Sequence, residues 1–182
     1  GRYTVGLAKG LIEAKKNHEV FLLFNEAYPA EIPRLKAIFK KNFSEDHFLT
    51  WCSPVISGKA SIEENNVLIQ AVAHVYAQAI INYKADVLVN CGLFHEFFIC
   101  SGIEAIPLLA QNNIKVAIVC YDFIPLKKPD IYLRDDNIKR LYEEIFNFFS
   151  YADVILCISD FVANEASDFF SENKNIVAIS SA

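Results

Sequence analysis

Two apolar runs in the second half of the chain end in polar side chains. Val116-Ala117-Ile118-Val119 leads into Cys120-Tyr121-Asp122-Phe123-Ile124-Pro125-Leu126, and Asp153-Val154-Ile155-Leu156-Cys157-Ile158 leads into Ser159-Asp160. Runs of this kind, β-branched and without polar alternation, read as strands buried on both faces of a parallel sheet. In open parallel sheets ligands bind outside the carboxyl ends of the strands. The same pattern therefore predicts a fold and the edge of it where a site belongs.

The remaining elements alternate in the same way. Tyr3 to Lys16 carries Val5, Ala8, Leu11 and Ile12 at helical spacing and closes on lysines. Val20–Phe24 is a short buried strand ended by Asn25 and Pro29. Ile32–Asn42 reads as a helix with Leu35, Ile38 and Phe39 on one face, His47–Trp51 as a weaker strand, and Cys52–Lys59 as a loop. A long helix starts at Ser61, where Ser61 and Glu64 fit a capping box, and runs to about Tyr83. Ala85–Asn90 is the next strand, followed by the loop Cys91–Glu96 and a helix from about Ala105 to Asn112 with Pro107 in its first turn. The strand Lys115–Cys120 leads into a loop, Tyr121–Leu133. Asp135-Asp136 then caps a helix whose Ile138, Leu141, Tyr142, Ile145 and Phe149 keep the 3.6 period. A strand at Val154–Ile158, a helix from Asp160 to about Phe170 and a strand at Asn175–Ile179 complete the chain. Strands alternating with helices predict a doubly wound, Rossmann-like parallel α/β sheet. Such a unit opens with a strand and a Gly-rich turn. This chain begins where that turn would end, so its first, central strand reads as missing.

Composition narrows the function. The 182 residues are 53% hydrophobic and include only 6 Gly and 6 Pro, which fits one packed domain spanning residues 1–182. A net charge of −5 argues against a nucleic-acid partner, since phosphate contacts need a basic face. No apolar run approaches the roughly 20 residues that span a bilayer. The opening Gly1-Arg2-Tyr3 is neither Met nor a signal peptide and reads as an excised terminus. Five cysteines without C-x-x-C spacing read as free, mostly buried thiols in a reducing cytoplasm, with no zinc site.

Several residues could carry chemistry. Gly1-Arg2 opens a helix, whose free amides suit a phosphate, although an ordinary helix start looks the same. Tyr121-Asp122 follows a strand and either faces a cleft or caps a turn shaped by Pro125. Ser159-Asp160 reads first as the cap of the following helix. His95-Glu96 lies in the loop after a strand, as a base or sugar contact or as solvated loop residues. His18, His47 and His74 share no metal or triad spacing, and no P-loop, G-x-S-x-G or complete G-x-G-x-x-G occurs.

In order along the chain, these segments resemble the N-terminal half of a GT-B fold glycosyltransferase of group 1, family 4. Gly1-Arg2-Tyr3-Thr4 continuing into Leu7-Ala8 is similar to the end of that family's Gly-Ile-Gly-Arg-Tyr loop. Leu93-Phe94-His95-Glu96 resembles its Ser-Leu-Phe-Glu-Gly segment. Tyr121-Asp122-Phe123-Ile124-Pro125-Leu126, with Pro129 and Tyr132-Leu133, is similar to its (His/Tyr)-Asp-Leu-Ile-Pro-Leu loop. Tyr142, the run Ala152–Ser159 and Glu165 resemble the helix and strand that follow. Two departures stand out: Tyr121 occupies a position where many members have His, and His95 one where Glu is expected.

The resemblance implies a retaining hexosyltransferase. It would move a sugar from a nucleotide-diphosphate donor to a glycan or lipid-linked acceptor, in bacterial surface polysaccharide or lipopolysaccharide synthesis. This chain would be the acceptor-side half, with the C-terminal donor-binding domain outside it and the isolated piece inactive. Carried over by residue, Gly1 and Arg2 lie near the donor diphosphate, Tyr121 and Asp122 beside the transferred sugar or acceptor hydroxyl, and His95, Glu96 and Ser159 along the cleft. No metal or cofactor is expected beyond the nucleotide sugar as substrate. The implied place is the cytoplasm, at the inner face of the membrane if Phe and Tyr on helix faces make a peripheral contact there. A non-catalytic sugar- or partner-binding domain on the same scaffold is the alternative, and an unrelated flavodoxin-like module a third.

Overall fold

The structure, a computed structural model, describes residues 2–14, 17–52, 62–91, 105–170 and 174–179. The fold is α/β with parallel sheets flanked by helices, as the alternating pattern predicts. Its strands form a two-stranded and a four-stranded sheet, belonging to two compact units, Gly1–Lys59 and Ala60–Ala182.

In the first unit, α1 (Arg2–Glu13), β1 (Leu22–Asn25), α2 (Glu31–Phe39) and β2 (Phe48–Trp51) follow one another. β1 and β2 pair in parallel from Leu22↔Phe48 to Asn25↔Trp51. Ile12, Phe39, Phe43 and Phe48 form the core, with Val5, Ala8, Leu22 and Phe24 packed against it. The Phe43 and Phe48 rings meet edge to face at 5.8 Å, the arrangement their quadrupoles favour. At the carboxyl end of β1, Asn25 Oδ1 accepts from the Ala27 amide at 3.0 Å, an Asx turn that stops the strand.

The second unit holds α3 (Ile62–Asn82), β3 (Val87–Asn90), α4 (Ile106–Gln111) and β4 (Lys115–Cys120). It continues through α5 (Ile124–Lys127), α6 (Pro129–Tyr132), α7 (Asp136–Asn147), β5 (Val154–Cys157), α8 (Asp160–Phe169) and β6 (Asn175–Ala178). The strands lie side by side as β3-β4-β5-β6, all parallel. β4 is an inner strand, and Val116, Ile118, Val119 and Cys120 are buried almost completely. That is why its sequence carries no polar alternation. α4 lies against β4 through buried Ile106 and Leu109, and α8 against β5 and β6.

Two helix ends aim the chain into strands. Lys84 and Asn113 adopt left-handed backbone, with φ of 54° and 60°. Beyond them Ala85 N–H bonds the carbonyl of Ile80, and Ile114 N–H that of Leu109. Each is a Schellman closure that satisfies otherwise orphaned carbonyls. α7 begins as its sequence predicts, with Asp135 Oδ1 accepting from the amides of Asn137 and Ile138 at 2.9 and 3.1 Å. The capping box expected at Ser61 lies outside the described residues. The segment expected to be a loop, Tyr121–Leu133, instead folds into α5 and α6. Pro125 and Pro129 stand in their first turns, where a fixed φ favours a helix and the missing N–H costs nothing.

The amino ends of β4 and β5 are clamped by one carboxylate. Asp153 Oδ1 pairs with Lys115 Nζ at 2.8 Å, and its Oδ2 accepts from the Val116 amide at 2.8 Å. Partial burial by itself would raise this carboxyl, but the Lys115 and Val116 hydrogen bonds outweigh it and hold the group below its ordinary 3.8. A carboxyl lowered by folding stabilises the fold above its unfolded value, and the gain is lost as pH falls through the lowered one. Asp153→Asn should therefore cost about 1–2 kcal/mol at neutral pH. In urea unfolding the gap between wild type and variant should hold steady above about pH 5 and shrink as acid protonates Asp153.

Candidate functional site

The parallel ladder ends together on three neighbouring strands. Asn90 pairs with Ile118, and Cys120 with Cys157, so the carboxyl ends of β3, β4 and β5 form one rim. Just beyond these rungs polar side chains take up backbone hydrogen bonds.

Tyr121 turns across to β3: its Oη donates to the carbonyl of Cys91 at 3.0 Å. Asp122 Oδ1 accepts from the Ile124 amide at 2.9 Å, an Asx turn that starts α5. Ser159 is the N-cap of α8, with Oγ accepting from the Val162 amide at 3.3 Å. The Ile158 amide, one residue earlier, bonds the carbonyl of Cys120 at 3.2 Å. Tyr121, Asp122 and Ser159 therefore share one rim, as the sequence pattern predicts. Asp122 and Ser159 each also do the capping work that the plainer reading assigned them. Tyr121 and Asp122 are half-buried, open enough to meet a ligand.

The other residues named from sequence belong to the first unit or lie outside the described residues. Arg2 is the first residue of α1, in the other unit. Gly1, His95 and Glu96 lie outside the described residues. Of the cysteines, Cys120 and Cys157 are buried and Cys91 half-buried, as expected, whereas Cys52 is exposed just past β2.

What holds the rim is an aromatic cluster. Phe123, 1% exposed, follows Asp122 directly. Its ring lies 4.9 Å from Phe169 and 6.2 Å from both Phe146 and Phe170. Sinking Phe123 into the core leaves its neighbours Tyr121 and Asp122 pointing to the sheet's end. A second fastening is an ion pair that sequence reasoning missed on its cationic side. Lys127 of α5 meets the Glu165 carboxylate of α8, and its Nζ sits 5.7 Å from the Phe161 ring centroid. Glu165 is almost fully buried, whereas Lys127 is about half exposed. The two are 38 positions apart, and no local spacing announces them.

The charge of Asp122 also reaches a neighbouring buried phenol. The Tyr142 phenol of α7, 3% exposed, is pushed well above its ordinary value, by burial first and by the negative charge of Asp122 second. Tyr142 therefore stays a neutral hydroxyl at any physiological pH. The rim thus offers a carboxylate, hydroxyls and helix-start amides over a buried apolar floor. Those groups can orient a polyhydroxyl ligand.

No family model matches the chain. Among characterised proteins it is similar to the serotype-specific mannosyltransferase WbdA of Escherichia coli, with 27% identity over 185 residues, 100% of this chain and 22% of the relative. Two further proteins of that name from the same species match at 27% and 24% identity, over 97% of the chain and again 22% of their own length. The chain therefore spans about a fifth of the curated relatives it matches, and those relatives are named as glycosyltransferases.

Removing one partner of a mostly buried ion pair strands the other's charge. Lys127→Met should destabilise the protein by about 1–2 kcal/mol, the half-exposed lysine keeping the cost below that of a fully buried pair. Adding Glu165→Gln should recover part of the loss, as read from the coupling term of a double-mutant cycle in urea.

Proposed function

We propose that this chain is the acceptor-side, N-terminal Rossmann-like lobe of a retaining GT-B glycosyltransferase of family 4. The enzyme moves a mannosyl group from a nucleotide-diphosphate donor to a glycan or lipid-linked acceptor, in the synthesis of a bacterial surface polysaccharide at the inner face of the membrane. The observation that carries the reading is the match of the chain from end to end to mannosyltransferases, with the segments behind that match supplying the rim of the sheet. The mannosyl specificity comes from the relatives' name alone.

In this reading Asp122 orients the acceptor hydroxyl or the transferred sugar, and Tyr121 and Ser159 line the same cleft. The donor diphosphate falls to Gly1 and Arg2, since α1's first amides and partial positive charge suit an anion that gains charge as it leaves. His95 and Glu96, outside the described residues, are assigned to sugar contacts in the same reading. The reaction needs no metal or bound cofactor in this scheme, because a fixed geometry and cationic groups do the work of stabilising the leaving group. A second lobe grips the nucleotide, so the 182-residue piece is inactive alone.

The product of the complete gene, offered a panel of nucleotide sugars, should transfer mannose in preference to other hexoses. Transfer of a different sugar removes the specificity, and the absence of any transfer favours the sugar- or partner-binding domain. The 182-residue chain by itself should turn over no donor. Within the complete protein, Asp122→Ala should lower turnover about 100-fold or more while costing only the cap energy of about 1 kcal/mol. Parallel loss of folding and activity would return Asp122 to a purely structural role.

A further inference from the structure

We propose that Cys120 and Cys157 are an oxidisable dithiol that hydrogen peroxide closes into a disulfide across the β4–β5 ladder. The pair is separate from the sugar-transfer reading and lies one residue below the rim. The two residues are direct partners in the parallel register, which puts both side chains on the same face of the sheet. Neighbouring strands run about 4.8 Å apart, inside the range of about 4.4–6.8 Å between α-carbons that a disulfide accepts. The two thiols are close enough to shift each other's acidity in opposite directions. Closing the bond therefore asks for side-chain rotation and little movement of the backbone.

The two thiols are not equivalent. The hydrogen bond from Cys120 lowers Cys157 against the opposing effect of burial. Cys120 is driven up, first by that same hydrogen bond and then by burial and the charges of Cys157 and Asp122. Cys157 is thus the more acidic thiol of the two and Cys120 the less acidic. Cys120 Sγ also donates to the carbonyl oxygen of Asp122 at 3.9 Å, a weak bond that links the thiol to the rim.

The chemistry balances with peroxide as the oxidant. The Cys157 thiolate attacks one peroxide oxygen, the O–O bond breaks, and a sulfenic acid and hydroxide result; the hydroxide takes up a proton and leaves as water. The Cys120 sulfur then attacks the Cys157 sulfur, the S–O bond breaks, and the departing hydroxide takes the Cys120 proton as a second water. Two thiols and one peroxide give one disulfide and two waters. Both cysteines are 0–1% exposed, so a small oxidant that enters through brief local opening suits the pair better than a bulky disulfide. Once the sulfenic acid forms, the neighbouring thiol reaches it before a second peroxide does, because the two are held in contact. Closure withdraws the S–H donor from the Asp122 carbonyl and ties the carboxyl ends of β4 and β5 together.

The test is peptide mapping of the native chain after treatment with hydrogen peroxide, alkylation in denaturant and digestion without reduction. The expected product is a linked pair of peptides carrying Cys120 and Cys157, lighter by two hydrogens than their sum. It should become the major form of both cysteines and be abolished by dithiothreitol. It should persist in Cys52→Ser, which removes the exposed thiol beyond β2. Recovery of Cys120 and Cys157 as alkylated thiols, as separate sulfinic acids, or in links to Cys52, Cys91 or Cys100 would each overturn the proposal.

Discussion

A strand paired on both sides and covered on both faces tolerates almost no polar side chain along its length, and β4 is under that constraint from Val116 to Cys120. Its peptide groups are satisfied by β3 and β5, and its side chains by helices. Polar groups are therefore expelled to its two ends, where they serve different purposes. At the amino end Asp153 spends its carboxylate on Lys115 and the Val116 amide, and the result is a clamp. At the carboxyl end the ladder stops at Cys120 and Cys157, and side chains must take over the bonding that strands had supplied. Tyr121, Asp122 and Ser159 do so, and in doing so become the rim of the site.

Position at a rim is useful only if the rim is held still. Phe123 does much of that work: one deeply buried ring among Phe146, Phe169 and Phe170 fixes the backbone on which Asp122 sits. Lys127 and Glu165 add a second tie between the segment after β4 and the helix after β5. Ligand-orienting groups need such support, because a loose carboxylate loses the geometric advantage of being placed at all. The charge of Asp122 is then felt by Tyr142 and Cys120 alike, so the candidate site, the neutral phenol and the thiol pair form one electrostatic neighbourhood. A change at any of the three should register at the others.

The likeness to mannosyltransferases fits this architecture. The matched stretch covers the chain from one end to the other, yet only 22% of the relatives. What the fold contributes is an edge of hydroxyls, a carboxylate and helix-start amides above an apolar floor. Fold by itself does not select among the many ligands that such rims accept.

Much of this was written in local sequence. Periodicity located α1 to α4, α7, α8 and the strands of the described residues to within a few positions, because a buried strand and an amphipathic helix leave different spacings in a short window. Asp135 announced α7 for the same reason, since a cap acts over only two or three residues. The rim, too, was legible, as polar residues following an apolar run. Tertiary structure alone decided the rest. That the segment after Asp122 coils into α5 and α6 depends on Phe123 finding a cluster built from residues far along the chain. The meeting of Lys127 with Glu165, of Lys115 with Asp153 and of Cys120 with Cys157 depends on strand register and helix placement. A pair separated by 37 or 38 positions leaves no periodic trace, because its partners become neighbours only once the sheet has set their distance.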